Sequence, residues 1–169
     1  VVMLTGVFLL QHGTIEIIKD FTIGRVILDV TIFLVIMDLA MYVLHRLAHI
    51  PGIYAVVHQT PHSYENPRPL TLFVLNPFEV LGFGALWLIV ISVYSSTALG
   101  MAIYLAINLA FGTIGHLGVE PFPRNWKKGY TWWISTSTFH AQHHSSPATN
   151  FGFYTLLWDY LFGTLDDTH

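Results

Sequence analysis

The sequence predicts an all-α fold, a bundle of helices that crosses a membrane several times. Of the 169 residues, 53% are hydrophobic and only 10% are charged, whereas charged residues make up about 25% of an ordinary soluble domain. The hydrophobic residues also gather into runs close to the roughly 20 residues that a membrane-spanning helix requires. This length suits one domain, so we expect residues 1–169 to form a single membrane-embedded unit.

About four hydrophobic segments are candidate spans, namely residues 1–10, 23–44, 77–94 and 97–117. The first is short and the chain begins with Val-Val rather than Met, so we expect this span to be truncated and an N-terminal piece to be missing. Asn76 suits a helix N-cap, Pro77 the first helical position and Glu79 the third position of a capping box. The short connection between the last two segments predicts an antiparallel hairpin.

Histidine is unusually frequent in this chain. It contains ten histidines, more than its lysines and arginines together, and no cysteine. Without cysteine, disulfides, zinc ribbons and iron–sulfur clusters are excluded. Imidazole is therefore the abundant nitrogen ligand, and it suits Fe, Zn, Cu and Ni. The net charge of −3 is small and gives no indication of a nucleic-acid partner.

Eight of the histidines lie in short motifs with ligand spacing. Two pairs have members four residues apart, which places the rings on one helix face about 6 Å apart. In the motif at 140–144, the adjacent last two histidines diverge by about 100° and can reach two different metals. A single histidine lies at the end of the 97–117 segment. We therefore predict a dimetal site whose ligands are His45, His49, His58, His62, His116, His140, His143 and His144.

All eight histidines are predicted to lie on one side of the membrane. The first four fall between two spans, and a hairpin of two passes separates them from the last four. Five of the seven Lys and Arg share this side: Arg46, Arg68, Arg124, Lys127 and Lys128. Because positive loops remain in the cytoplasm, we expect a cytoplasmic helical cap that holds the histidine-rich site.

Ligand imidazoles need an orienting partner on their second ring nitrogen. Asp38 lies seven residues before His45 on the same helix face, with Tyr42 between them. We regard Asp38 and Tyr42 as candidates for orienting a ligand or relaying a proton; the alternative for Asp38 is a polar contact between helices. Asp29 lies deeper in the span and is expected to be structural. The full set of candidate carboxylates is Asp38, Glu65, Glu120 and Asp159.

The motifs resemble those of the fatty acid hydroxylase/sterol desaturase superfamily, from about Asp38 to Thr164. The matching elements are Tyr42 to His49 as the first histidine box, His58 to Asn66 as the second, Gly115 to Gly118, His140 to His144 as the third, and the tail with Asn150-Phe151-Gly152, Trp158-Asp159 and Leu161 to Thr164. One departure is clear: Pro61 stands where the second box has the first histidine of a pair. Gly112 occupies a place where some relatives have a further histidine.

The resemblance implies two iron ions as the cofactor, O₂ as co-substrate and a lipid as substrate. It also implies an external electron donor, either cytochrome b5-like or of the ferredoxin type. We therefore expect hydroxylation or desaturation of a C–H bond in a sterol, fatty acyl chain or related lipid. Pro61 leaves open a degenerate relative that binds lipid or metal without full catalysis.

Two other classes of membrane protein fit the histidines less well. A bis-histidine haem protein would carry them within opposing spans rather than at the span ends. A zinc protease would have His-Glu-x-x-His, whereas His45-Arg-Leu-Ala-His49 lacks the glutamate. The short termini favour a bacterial plasma membrane over the endoplasmic reticulum as the expected location.

Overall fold

The computed structural model describes residues 1–19, 22–63, 67–123 and 133–166. This part of the chain is mostly helical, which confirms the predicted all-α fold. The helices are α1 (Val2–Gln11), α2 (Ile23–Ala48), α3 (Tyr54–Val57), α4 (Gln59–His62), a 3₁₀ helix (Pro69–Phe73), α5 (Pro77–Val93), α6 (Ala98–Gly115), α7 (Ser137–Ser145) and α8 (Leu157–Phe162). Two short strands, β1 (Ile17–Ile18) and β2 (Ser96–Thr97), pair in parallel, with Ile17 opposite Ser96.

Two helices in the described residues, α2 with 26 residues and α6 with 18, are long and apolar enough to cross a membrane. Helices α1 and α5 are also apolar but have only 10 and 17 residues. Large apolar side chains lie exposed on the long helices, among them Val35 of α2, Val93 of α5 and Leu109 of α6. Such a surface suits contact with lipid. The architecture is thus consistent with an all-α membrane protein, and the third and fourth crossings stay predictions.

The long helices begin where their sequences provide caps. The Thr22 hydroxyl accepts a hydrogen bond from the Arg25 backbone N–H at the start of α2. Asn76 caps α5 as predicted, since its side-chain oxygen accepts from the Phe78 N–H at 2.9 Å. The Thr97 hydroxyl accepts from the Gly100 N–H at the start of α6. These side chains satisfy backbone donors that have no partner within the first turn of a helix.

Asp29 fastens α2 to the turn between α5 and α6. Its fully buried carboxylate accepts hydrogen bonds from the Thr97 N–H at 2.8 Å, the Thr97 hydroxyl at 2.7 Å and the Tyr94 hydroxyl at 2.7 Å. Arg25 on the same helix adds an ion pair at 2.8 Å. Every donor around this carboxylate is supplied by the protein, as a buried charge requires. The structural role predicted for Asp29 is therefore confirmed.

The packed interior lies between α2, α5, α6 and the segment that follows α7. Phe33 is fully buried, and its ring contacts those of Trp87, Tyr94 and Tyr104 at centroid distances of 5.2 to 5.7 Å. Tyr154 joins this core from the segment after α7. The core thus fixes the ends of α2 and α6, and with them the histidines that those ends carry.

Candidate metal centre

Five histidines from three parts of the chain form one group. Their ligand nitrogens all lie within 4.8 Å of one another, and the members are His45, His49, His58, His62 and His143. The last turn of α2 and the residue after it supply the first two, because i, i+4 spacing keeps them on one face. Helix α7 brings the last member across from the other end of the chain. We call this set the five-histidine group.

The remaining three histidines form a second group. His116 ends α6, and His140 and His144 lie one turn apart on α7; their ligand nitrogens are again within 4.8 Å of one another. The rings of His144 and His62 stack at a centroid distance of 4.6 Å, so this three-histidine group adjoins the first. The adjacent His143 and His144 face different groups, as their divergence on a helix predicts.

Backbone carbonyls fix the ring orientation of three histidines. Nδ1 of His45 lies 2.9 Å from the Phe151 carbonyl oxygen, and Nδ1 of His143 lies 2.7 Å from that of Thr149. Nδ1 of His116 lies 3.0 Å from the Gly112 carbonyl oxygen one turn earlier. A carbonyl can only accept, so each Nδ1 carries the hydrogen and each Nε2 presents a lone pair. These lone pairs point into the two groups.

The loop at 149–151 can serve two histidines because of its backbone conformation. Asn150 has φ 60°, the left-handed region that asparagine tolerates better than most residues. Its backbone N–H donates to the Thr164 carbonyl, and its side-chain oxygen accepts from the Asp166 N–H. Fully buried and held on both sides, Asn150 turns the chain so that the carbonyls before and after it reach different imidazoles.

His58 is oriented by a carboxylate rather than a carbonyl. Its Nδ1 lies 2.7 Å from Oε1 of Glu79, and both side chains are buried. Its Nε2 lies 3.0 Å from Nε2 of His45. Two ring nitrogens this close need either a proton or a metal ion between them, because two lone pairs would repel each other.

The nitrogen separations suit ligands of a shared metal ion. Two nitrogens about 2.1 Å from one ion and at tetrahedral or octahedral angles are about 3.0–3.4 Å apart. The Nε2–Nε2 distances are 3.0 Å for His45–His58 and 3.1 Å for His62–His143. In the three-histidine group they are 3.4 Å for His116–His140 and 3.2 Å for His140–His144. Nε2 of His49 is buried without a hydrogen-bond partner among the described residues, so this donor set fits a metal.

Burial keeps the rings in the form that binds metal. Burial, together with the charges of neighbouring histidines, lowers the pKa of His49 and of His62 to about 3. Burial also lowers the pKa of His140 and His143 well below the ordinary value. A neutral imidazole has the free lone pair that a metal needs. The site is therefore ready for a cation near neutral pH.

Asp38 and Tyr42 contact the C-terminal segment rather than an imidazole. The Asp38 carboxylate accepts from the backbone N–H groups of Tyr154 and Thr155 and from the Trp158 indole at 3.0 Å. This is the polar contact between segments that the sequence offered as the alternative. The Tyr42 hydroxyl bonds Thr164 at 2.9 Å and accepts from Arg46 at 3.0 Å.

The other candidate carboxylates also have backbone partners. Glu120 accepts from the Thr138 N–H at 3.1 Å in the first turn of α7, and Asp159 accepts from the N–H groups of Phe151 and Gly152. Glu65, Arg124, Lys127 and Lys128 lie outside the described residues. Glu79 was predicted to belong to a capping box and was not predicted to lie in the site. Its position at the start of a predicted span, at the end where the histidines lie, is the signal that could have identified it.

A largely apolar cavity of about 270 Å³ extends from the histidines into the helix bundle. Its wall includes histidines of both groups and apolar side chains such as Met37, Leu72, Phe83 and Trp87. Pro61 is buried and also lines it. This proline lies in the first turn of α4, where its missing N–H leaves no bond unmade. The cavity joins a nitrogen-rich polar end to a hydrophobic interior, a shape that suits an alkyl chain.

Comparison with known proteins points to one family. The sequence model of the fatty acid hydroxylase family matches residues 30–164. Very-long-chain aldehyde decarbonylase GL1-1 of Oryza sativa subsp. indica is 31% identical over 132 residues, 74% of this chain and 21% of that protein. Protein CER1-like 2 of Arabidopsis thaliana is 27% identical over 175 residues, 99% of this chain and 28% of that protein.

Another relative, very-long-chain aldehyde decarbonylase CER1 of Arabidopsis thaliana, is 27% identical over 135 residues, 75% of this chain and 21% of that protein. The chain thus spans between 21% and 28% of the length of these relatives. No solved structure matches it.

Proposed function

Since the chain belongs to the fatty acid hydroxylase family, within the fatty acid hydroxylase/sterol desaturase superfamily, we propose that it is an O₂-dependent diiron oxidoreductase. It hydroxylates or desaturates a C–H bond of a lipid. The observation that supports this most directly is the 3.0 Å distance between Nε2 of His45 and Nε2 of His58, at the point where five histidines meet. A second histidine group alongside provides for a second ion.

The residues of the chain supply ligands, orientation and exclusion of water. The five-histidine group would hold one ion and the three-histidine group the other. When bound, the two iron ions supply the activation of O₂ that attack on an unactivated C–H bond requires. The carbonyls of Thr149 and Phe151 keep the imidazoles in place. The apolar cavity holds the alkyl chain beside the histidines and keeps bulk water away.

The topology that accompanies this function is a multi-pass membrane protein with about four crossings. The histidine groups lie on the cytoplasmic side, because the segment between two predicted spans that carries four of the histidines also carries Arg46 and Arg68. The 169-residue sequence has no flavin, haem-attachment or dinucleotide-binding motif, so electrons come from a donor outside it. A cytoplasmic site is accessible to a cytochrome b5-like or ferredoxin-type protein.

A second reaction at the same site is supported by the names of the relatives. Several are very-long-chain aldehyde decarbonylases, so a long-chain aldehyde is a candidate substrate alongside a lipid with an unactivated C–H bond. A third reading is a degenerate protein that binds lipid or metal without full catalysis, and Pro61 in the cavity wall is the residue that supports it.

Metal content is the first test of the proposal. The chain is expressed with supplementary iron, purified anaerobically and analysed by mass spectrometry, beside His143→Ala and the control His12→Ala. We expect about two irons per chain in the wild type and the control, with a loss in His143→Ala. A chain without bound metal, or equal metal in all three proteins, would refute a histidine-held centre.

Product analysis then separates the readings. The iron-loaded protein is incubated with O₂, a reductant system and a panel of sterols, fatty acyl lipids and long-chain aldehydes. An alcohol or alkene product supports the oxidase, whereas a hydrocarbon one carbon shorter than the aldehyde supports decarbonylation. Bound metal and bound lipid without any product would favour the degenerate reading.

A further inference from the structure

Glu79 is a buried carboxylate beside the histidines, and it is not one of the eight predicted metal ligands. It is the third residue of α5 and is 7% exposed. Oε1 lies 2.7 Å from Nδ1 of His58. Oε2 is buried and has no hydrogen-bond partner among the described residues. The two oxygens of one carboxylate thus have very different surroundings.

A capping role does not explain this side chain. In a capping box, the third residue of the helix turns back to the N–H of the cap residue. Asn76 caps α5 through its own side chain, whereas the Glu79 carboxylate faces His58. A buried carboxylate oxygen without a hydrogen bond is costly unless a cation compensates it. The position of Oε2 therefore points to a cation in its neighbourhood.

The three-histidine group is where that cation would lie. Glu79 lines the same cavity as His116 and His140. This group also has only three nitrogens, and Pro61 in the same wall supplies none.

We propose that Glu79 connects the two histidine groups. Oε1 fixes the ring of His58 in the five-histidine group, while Oε2 is the anionic partner of the metal ion at the three-histidine group, directly or through a water bound to that ion. This inference rests on the proposed function. It gives the second ion a mixed histidine and carboxylate environment, which suits iron and offsets part of its charge.

Glu79→Gln tests the charge without removing the contact to His58. The glutamine oxygen can still lie against Nδ1 of His58, and the side-chain volume is nearly unchanged. We expect bound metal to fall from about two ions per chain to about one, and affinity for the weaker ion to fall by about 10–100-fold. Chelator competition with Co(II) or Zn(II) measures this without any turnover. Glu16→Gln, an exposed carboxylate that bonds Ser95, is the matched control.

A double variant locates the affected ion. His116→Ala alone removes the ion of the three-histidine group, so Glu79→Gln combined with it should still retain about one ion. Loss of both ions from the double variant would place Glu79 in the five-histidine group only and overturn the inference. Unchanged affinity for both ions in Glu79→Gln would overturn it as well.

Two further comparisons keep the result clear. If Glu79→Gln fails to fold in detergent, Glu79→Asp takes its place, because it keeps the charge and withdraws the carboxylate by one methylene. The same selective loss of the weaker ion is expected for this variant. Retention of both ions with wild-type affinity would overturn the inference. A wild-type chain that binds no metal would refute the proposed function itself. Two ions in the wild type and in Glu79→Gln would refute only the role of Glu79.

Discussion

The variant Asp38→Asn distinguishes two roles for Asp38: a proton relay, and a structural hydrogen-bond link between α2 and the C-terminal segment. Oδ1 of Asp38 accepts from the N–H groups of Tyr154 and Thr155, and an asparagine oxygen can retain both bonds. Oδ2 accepts from the Thr155 hydroxyl at 2.5 Å and from the Trp158 indole N–H at 3.0 Å. In the variant, this oxygen is replaced by an NH₂ group, which cannot accept.

The cost of the change falls mainly on Trp158. The Thr155 hydroxyl can rotate and accept from the new amide, but an indole N–H is only a donor. Leaving a buried donor without an acceptor costs about 1–3 kcal/mol, and a hydrogen bond to a charged group is worth a similar amount. We therefore expect Asp38→Asn to lower the free energy of unfolding by about 2–3 kcal/mol, with bound metal retained.

Unfolding in mixed detergent micelles, in the wild-type and Trp158→Phe backgrounds, measures this coupling. The penalty of Asp38→Asn should be smaller when Trp158 is phenylalanine, because no indole donor is then left unpaired. An equal penalty in both backgrounds would refute the reasoning. Wild-type stability together with lost turnover would instead indicate that Asp38 handles a proton.

Three further predictions address the bundle, the missing ligand and pH. Asp29→Ala should lower the free energy of unfolding by about 3–5 kcal/mol because buried donors lose their acceptor; unfolding measurements check this against Thr31→Ala on the same helix, and equal stability of the two would contradict it. Pro61→His should strengthen binding of the weaker metal ion by adding a nitrogen to the cavity wall; chelator competition checks this, and unchanged affinity would exclude Pro61 as the cause of a weakened site. Metal-free protein should lose stability as pH falls below about 6.5, the pKa of an unfolded histidine, because the folded pKa of His62 is about 3 and folding therefore disfavours its protonation; melting temperatures at neutral and acidic pH, with His62→Ala as control, check the sign.

The local features of this fold were predictable from the sequence, since each depends on neighbouring residues. Asn76 before Pro77 fixes the start of α5, and hydrophobic runs mark the long helices. Spacing of four residues places His45 and His49 on one helix face, and adjacency makes His143 and His144 diverge. These patterns need only the geometry of an α-helix.

The orienting contacts were not predictable because they join distant parts of the chain. The hydrogen-bond partner of His45 Nδ1 is the carbonyl oxygen of Phe151, 106 residues later in the chain. The direction of that carbonyl depends on Asn150, whose left-handed backbone conformation is held by buried contacts. Glu79 and His58 are likewise brought together only by packing of α5 against α3. The spacing of histidines along the sequence therefore predicted which imidazoles could gather, but not the contacts that orient them.

Pro61 affects the ligands of the second histidine box and not its helix, and these two kinds of change have different consequences. Proline in the first turn of α4 removes no helical hydrogen bond, and His62 next to it still faces His143 at 3.1 Å. The proline therefore leaves the backbone of α4 intact and removes only a side-chain nitrogen. A buried carboxylate in the same cavity wall is a chemically suitable substitute for that nitrogen, which is why the affinity for the weaker metal ion should fall in Glu79→Gln and rise in Pro61→His.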